Sequence, residues 1–187
     1  RRGPVILAPT HRSRWDTILL YRATSRLLRF LTSHDEFIGF QGWMMRHMGA
    51  FPVNTRRPAP SALKHCLELL RSGQALVIFP EATIFYYPPN NVHPIKAGAA
   101  WIALECQRKE PTMDLQIVPI RLIYEHPILR FRDQVRVDVR PPLHVRAYLE
   151  MPDREGIRSL TSDLQAALGD IVNESLAEMS TPRTPST

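Results

Sequence analysis

The sequence predicts a single α/β domain in which a mostly parallel, twisted sheet is flanked by helices. Strand-like and helix-like segments alternate along the first two thirds of the chain, which is typical of parallel strands joined by helical crossovers. Two further strand-like segments then follow each other directly, which adds an antiparallel edge. The chain has 187 residues, of which 44% are hydrophobic and 22% charged, and this is enough for one sizeable core.

The first third of the chain begins with a short apolar run over residues 5–8, between two prolines, which predicts a buried strand. Residues 15–30 carry apolar side chains at helical spacing, although residues 28–32 could instead begin a second strand. A short helix over residues 41–48 and a brief strand over residues 50–53 follow.

The middle of the chain has the clearest pattern. Ser61 caps a helix with one apolar face, and Gly73 ends that helix. Residues 75–79 are the most apolar strand of the sequence. A helix rich in small residues is predicted over residues 97–108, and a further strand over residues 116–122.

The last third of the chain predicts the antiparallel edge. Residues 135–139 alternate valine with charged side chains, and the alternation resumes over residues 143–147 after two prolines. A long final helix is expected over residues 157–179. We therefore expect one domain over residues 1–179 and a disordered tail over residues 180–187.

The charge of the chain is positive and comes mostly from arginine. The formal net charge is +6, from 21 Arg and 3 Lys against 18 acidic residues. Arginine side chains suit phosphates and carboxylates, so an anionic partner fits this composition. Nucleic acid is not the expected partner, because the sequence has no recognition motif and no aromatic residues interleaved with basic ones. Most of the arginines between residues 12 and 29 are expected on a solvated helix face.

Cysteine content and hydropathy set two further limits. Cys66 and Cys106 are far apart and alone, which excludes a disulfide scaffold or a cysteine zinc cluster and fits a reducing compartment. No uncharged apolar run approaches the roughly 18 to 20 residues that span a bilayer, and no signal peptide is visible. Because the chain starts at Arg1 and enters a strand within four residues, we expect an upstream segment before it.

The first candidate for chemistry is the pair of His11 and Asp16, in the segment THRSRWD. A carboxylate can hold the imidazole in one tautomer and stabilise the imidazolium, while the imidazole deprotonates a hydroxyl. Five residues correspond to about 500° on one helix, so the two side chains would not share a helix face. The pair therefore requires His11 to lie in the loop between the first strand and the helix.

Polar residues also follow the strand over residues 75–79. Glu81 and Thr83 come directly after its end, in the segment FPEAT. Open α/β sheets bind ligands at the carboxyl ends of their strands, and His11 lies at another such end. In addition, Arg56 and Arg57 follow the strand over residues 50–53. Pro119 stands inside a strand, which indicates an edge, a bulge or a place where the backbone turns aside for a ligand.

Four of these segments, in this order, resemble the blocks of the glycerophospholipid acyltransferase family: THRSRWD, GAFPVN, FPEAT and IVPI. The resemblance covers about residues 3–123. It implies the family's single α/β domain and the transfer of a fatty acyl group from acyl-CoA or acyl-carrier protein to a hydroxyl of a lysophospholipid or glycerol-phosphate-like acceptor. It also implies that His11 is the general base and that Asp16 orients it. The resemblance further implies that no acyl-enzyme forms and that neither a metal nor a further cofactor is required.

We expect Glu81, Thr83, Arg56, Arg57 and Ser13 to bind the acceptor, with Lys96 and Arg121 as further candidates for contacting a phosphate or the donor.

The sequence departs from the family at positions linked to the acceptor's phosphate. Ile84 replaces the arginine of the third block, and Thr55 replaces that of the second. Ala82 stands where the family has glycine, which costs little at a negative φ and much at a positive one. Because His11 and Asp16 are intact, the hypothesis is an active acyltransferase whose acceptor is not simple lysophosphatidate. Alternatively, shifted basic residues supply the phosphate contact.

Two alternative functions use the same fold: a CoA-independent phospholipid transacylase and a non-catalytic lipid-binding protein. Family substrates are membrane lipids, so we expect a cytoplasmic protein that attaches peripherally to a membrane surface. An apolar, Met-rich cluster between residues 37 and 48 could line an acyl-chain groove, touch a membrane or simply pack in the core.

Overall fold

The computed structural model describes residues 3–33, 49–53, 60–84, 92–126, 130 and 132–179. Its strands are β1 (Val5–Pro9), β2 (Leu28–Ser33), β3 (Ala50–Val53), β4 (Ala75–Ile78), β5 (Gln116–Tyr124), β6 (Val135–Val139) and β7 (Leu143–His144). Its helices are α1 (Asp16–Ala23), α2 (Pro60–Arg71), α3 (Gly98–Lys109) and α4 (Asp153–Met179), with a short 3₁₀ helix over Val145–Tyr148. The helix expected over residues 41–48 and the tail from residue 180 lie outside the described residues.

The strands form one sheet in the order β3-β2-β4-β1-β5-β6, and β7 pairs with β5 beside β6. All pairs from β3 to β5 are parallel, and only β6 and β7 run antiparallel to β5. The predicted α/β architecture with a mostly parallel sheet and an antiparallel edge is therefore confirmed.

Both faces of the sheet are covered, because successive strand side chains point to opposite sides. In β1, Ile6 packs with buried side chains of α2, α3 and α4 on one face. Val5 packs on the other face with Leu20 of α1 and with Tyr124 of β5. Among the described helices, only α1 therefore covers the second face. It lies next to the ends of β1 and β5.

Helix α2 begins at Pro60, so the prediction that Ser61 caps it is wrong. Two further predicted elements differ from the structure. The helix expected over residues 15–30 ends at Ala23, where Thr24 turns to an extended conformation, and residues 28–33 form the alternative strand. Leu28 and Phe30 are buried in this strand between β3 and β4, so pairing on both sides outweighs the helical spacing. Residues 145–147 belong to the 3₁₀ helix because β7 stops after two residues.

Pro119 lies where β5 changes its antiparallel partner. β7 pairs with Gln116 and Ile117, and β6 pairs from Ile120 onward. The proline carbonyl accepts a hydrogen bond from the main-chain N–H of Arg140, in the gap between the two partners. The missing proline N–H therefore costs no ladder hydrogen bond at this point.

Candidate active site

The site is built at the end of β1, which stops at Pro9. Thr10 fixes the turn, because its main-chain N–H donates to the carbonyl of Ile120 and its hydroxyl accepts from the N–H of Leu122. His11 follows in the loop, and Asp16 is the first residue of α1. The loop folds back so that His11 Nδ1 lies 2.9 Å from Asp16 Oδ2. The structure thus brings the two residues together in the geometry that the sequence required.

Asp16 is completely buried and holds the loop together. Its Oδ2 also accepts the main-chain N–H groups of Arg12, at 2.7 Å, and of Ser13, at 2.9 Å. Its Oδ1 accepts the hydroxyl of Tyr124. Hydrogen bonds of this kind fix the position of the carboxylate. An ionised Asp16 accepts the Nδ1 proton of His11, so the lone pair of the imidazole is on Nε2.

The His11 ring is supported from one side by Phe79. The two rings stack with their centroids 4.0 Å apart and an angle of 23° between their planes. The side chain of His11 retains 17% of its exposure, so the ring is held and yet open to a substrate. Phe79 follows β4, the parallel neighbour of β1, which is why it reaches the ring.

A buried cluster of charges lies next to the pair. Glu81 is 1% exposed, and Arg12 and Arg121 are also buried. Burial raises the pKa of Glu81 to about 7, against the lowering influence of Arg12 and of the main-chain N–H of His11. Burial and repulsion from Arg12 lower the pKa of Arg121 to about 10, while the carboxylate of Asp138 opposes this shift. The site therefore combines a buried carboxyl group with two guanidinium groups.

The turn after β4 carries the predicted acceptor residues. The main-chain N–H of Ala82 donates to the carbonyl of Phe79, and that of Lys96 donates to the carbonyl of Pro80. Ala82 has a φ of 58°, in the left-handed region. Thr83 and Lys96 are exposed beside this turn.

The other predicted site residues fall into three groups. Ser13 is half-buried and its hydroxyl accepts the main-chain N–H of Trp15, so it helps to start α1. Arg121 is buried and interacts electrostatically with Glu81. Arg56 and Arg57 lie outside the described residues.

Sequence reasoning missed three contributors. Arg12 differs from the solvated helix face expected for most of the arginines between residues 12 and 29, because it lies in the β1–α1 loop, buried beside Glu81. The sequence pattern identifies Phe79 only as the end of a strand. It gives no role to Tyr124, which shares strand parity with Ile120 and Leu122, the residues that face α1. The strand alternation thus places a polar hydroxyl on an apolar face, and this is the feature of the sequence that could have identified Tyr124.

One group of side chains in the described part of the chain has the composition of a metal site. Glu125, His126 and Asp133 offer ligand atoms that lie within 4.8 Å of one another. His126 Nδ1 and Asp133 Oδ1 are 3.0 Å apart, and Asp133 also accepts the main-chain N–H of Arg130 at 2.7 Å. The group lies beyond the end of β5, outside the His11 and Asp16 pair.

The fold and this site define a class of protein: an α/β domain in which a histidine contacts a buried aspartate at the carboxyl edge of a parallel sheet. The model of the family described as Acyltransferase matches residues 1–123. The chain belongs to this family, which confirms the resemblance to glycerophospholipid acyltransferases.

Two curated relatives are informative. The "1-acyl-sn-glycerol-3-phosphate acyltransferase" of Streptococcus pneumoniae is 28% identical over 167 residues, which cover 86% of this chain and 57% of that protein. The protein of the same name from Bacillus subtilis is 27% identical over 137 residues, which cover 71% of this chain and 62% of that protein. The chain thus spans about three fifths of the length of these relatives.

A solved structure has the same fold. The crystal structure of the "1-acyl-sn-glycerophosphate (LPA) acyltransferase" from Thermotoga maritima matches with a TM-score of 0.65 and 18% identity, over 95% of this chain and 68% of that one. Separately, no helix among the described residues is both long and apolar enough to cross a membrane.

Proposed function

We propose that this protein is an O-acyltransferase that moves a fatty acyl group from acyl-CoA or acyl-carrier protein to a hydroxyl of a lysophospholipid or glycerol-phosphate-like acceptor. The observation that carries the proposal is the His11–Asp16 pair, with its 2.9 Å contact and a fully buried carboxylate. Such a pair is a base for a hydroxyl, and a hydroxyl is the acceptor group of acyl transfer. The family of the chain and the names of its relatives agree with this chemistry.

In the proposed reaction, Nε2 of His11 takes the proton of the acceptor hydroxyl. The hydroxyl oxygen attacks the thioester carbonyl and forms a tetrahedral intermediate. When this intermediate collapses, the carbon–sulfur bond breaks and the thiolate takes the proton from the imidazolium. Asp16 holds the tautomer and stabilises the transient positive charge. Acyl transfer is direct, so no acyl-enzyme forms, and the proposed steps use no metal or further cofactor.

The acceptor is proposed to differ from simple lysophosphatidate. Ile84, at the position of a phosphate-linked arginine in the family, is partly buried and uncharged. Lys96 is exposed beside the turn that carries Glu81 and Thr83, which makes it the better candidate for a direct phosphate contact. Arg121 is buried and acts through Glu81 and Arg12. A strong preference for lysophosphatidate over other lysophospholipids and non-phosphate acceptors would contradict the altered acceptor.

Because the proposed acceptor is a membrane lipid, we also propose that the protein works at the cytoplasmic face of a membrane as a peripheral protein. The net charge of +6 favours anionic lipids, with an attraction that salt weakens. Co-sedimentation with anionic and neutral vesicles across a salt series tests this. Failure to bind either vesicle at any salt concentration would contradict direct attachment by this chain.

The proposed activity is tested by identifying the product. Purified protein is incubated with palmitoyl-CoA or palmitoyl-carrier protein and with a panel of lysolipids, and the acylated acceptor is detected by mass spectrometry. We expect a new ester that requires both a thioester donor and an acceptor. An ester formed from phospholipid without any thioester would indicate a transacylase, and no ester with folded protein would favour a binding protein.

A further inference from the structure

We propose that Tyr124 is a positioning residue of the active site, which holds Asp16 from the neighbouring strand and through it sets the orientation and basicity of His11. The proposal rests on the proposed acyltransferase mechanism. It starts from one contact, in which the hydroxyl of Tyr124 donates to Oδ1 of Asp16. The two residues are 108 positions apart in the sequence, so this contact joins two separate parts of the fold.

The sheet explains how a residue of β5 reaches the first turn of α1. Pairing of β1 with β5 ends at Pro9 opposite Ile120. β5 then continues for four more residues, to Tyr124. Within this extension, Leu122 and Tyr124 face the side of the sheet that α1 covers. The end of β5 therefore lies beside Asp16, the first residue of α1.

The hydroxyl has a distinct role among the groups that hold Asp16. Within the described part of the chain, His11 and the main-chain N–H groups of Arg12 and Ser13 all bind Oδ2, whereas Tyr124 binds Oδ1. The three donors on Oδ2 restrain one end of the carboxylate. The fourth donor, on Oδ1, restrains the other end, so the group tilts less about Oδ2 and keeps the direction in which it holds the imidazole.

The hydroxyl of Tyr124 also stays protonated and therefore remains a hydrogen-bond donor. Tyr124 is 4% exposed, and burial together with the charge of Asp16 raises the pKa of its hydroxyl far above the usual range. The side chain of Ser13 also interacts with this hydroxyl. A buried tyrosine hydroxyl needs a partner, and here the partner is the carboxylate that orients the base.

The proposal predicts how Tyr124→Phe changes the reaction. The variant keeps the ring and its packing but removes the donor to Oδ1. We expect kcat to fall about tenfold to a hundredfold, with KM within about twofold, because a hydrogen bond to a charged group is lost while the surface that binds substrate is untouched. The matched control is Tyr148→Phe, since the hydroxyl of Tyr148 donates to Asp163 at 2.6 Å on α4, away from the pair. The control should keep wild-type kcat.

A second readout is independent of acyl transfer. The ring protons of His11 are followed by NMR as a function of pH in wild type, Tyr124→Phe and Tyr148→Phe. Without the hydroxyl, the negative charge of Asp16 concentrates on the oxygen that faces His11, which stabilises the imidazolium. We therefore expect the midpoint of the His11 titration to move to higher pH in Tyr124→Phe alone.

Other charges near the pair are the same in all three proteins, so they cancel in this comparison. They are Glu81 after β4, Arg12 in the loop and Arg121 on β5. An unchanged His11 titration in folded Tyr124→Phe would overturn the proposal, whatever the activity. If the wild-type protein shows no acyl transfer, the proposed function fails, while the titration still decides whether Tyr124 acts on His11 through Asp16.

Discussion

Replacing Ala82 with glycine should stabilise the protein, against the usual effect of adding a glycine. Ala82 has a φ of 58°, where the Cβ of an L residue comes too close to the following carbonyl oxygen. This conformation costs roughly 1–2 kcal/mol for a residue with a side chain. Glycine avoids that cost but loses roughly 0.5–1 kcal/mol because its unfolded chain is more flexible. The net change is a gain of about 0.5–1 kcal/mol in the free energy of unfolding.

Little else opposes this gain, because Ala82 is exposed and its methyl group fills no cavity. A gain of this size should raise the melting temperature by about 1–3 °C for a chain of this length. Urea unfolding with linear extrapolation measures the free energy directly, and calorimetry measures the melting temperature.

The matched control is Ala166→Gly, at an exposed position inside α4. There the same substitution should destabilise the protein by about 1 kcal/mol, because the helix prefers alanine. Opposite signs for the two variants would support the strained turn at Ala82. If Ala82→Gly destabilises as much as Ala166→Gly does, the reasoning about strain is wrong.

Three further predictions concern the site and its support. Asp16→Asn should lower kcat by at least about a hundredfold, because the neutral amide no longer stabilises the His11 imidazolium. If the folded variant released thiol at a rate within tenfold of wild type, this prediction would be contradicted. Burial raises the pKa of Glu81 from 4.5 to about 7, so the folded state binds its proton more tightly and stability falls as pH rises across that range. Glu81→Gln should remove this part of the pH dependence in urea unfolding, and an unchanged slope would refute it. Gly156→Ala should destabilise the protein by about 1–3 kcal/mol, although alanine favours helices. The reason is that the new Cβ would lie 2.7 Å from the carbonyl oxygen of Tyr148. Equal or higher stability of the variant in calorimetry would contradict this close approach.

The sequence predicts the sheet well where apolar runs are buried on both faces. Residues 5–8, 75–79 and 116–122 each correspond to a strand, because a parallel central strand needs apolar side chains on both sides. Residues 28–32 are ambiguous in the sequence, since their spacing suits a helix as well as a strand. Pairing with both β3 and β4 decides in favour of the strand, and local spacing contains no information about such partners.

The site is predictable where residues are close in the sequence and not where they are distant. His11 and Asp16 are five positions apart, and the loop between them follows from Pro9 and the start of α1. Tyr124 reaches the same site only because β5 extends past β1, which depends on the register of the sheet. Arg12 is buried next to Glu81, which comes from another strand end, and the segment around Arg12 does not reveal this neighbour.

The central claim is that His11 is the base that activates the acceptor hydroxyl. The most direct measurement is acceptor-dependent release of CoA thiol from palmitoyl-CoA, in wild type, His11→Ala and His144→Ala, with folding of each variant checked by circular dichroism. His144 is an exposed histidine on β7 and serves as the matched control. The account predicts wild-type release in His144→Ala and release reduced to background in His11→Ala. Comparable release in His11→Ala and wild type would contradict it.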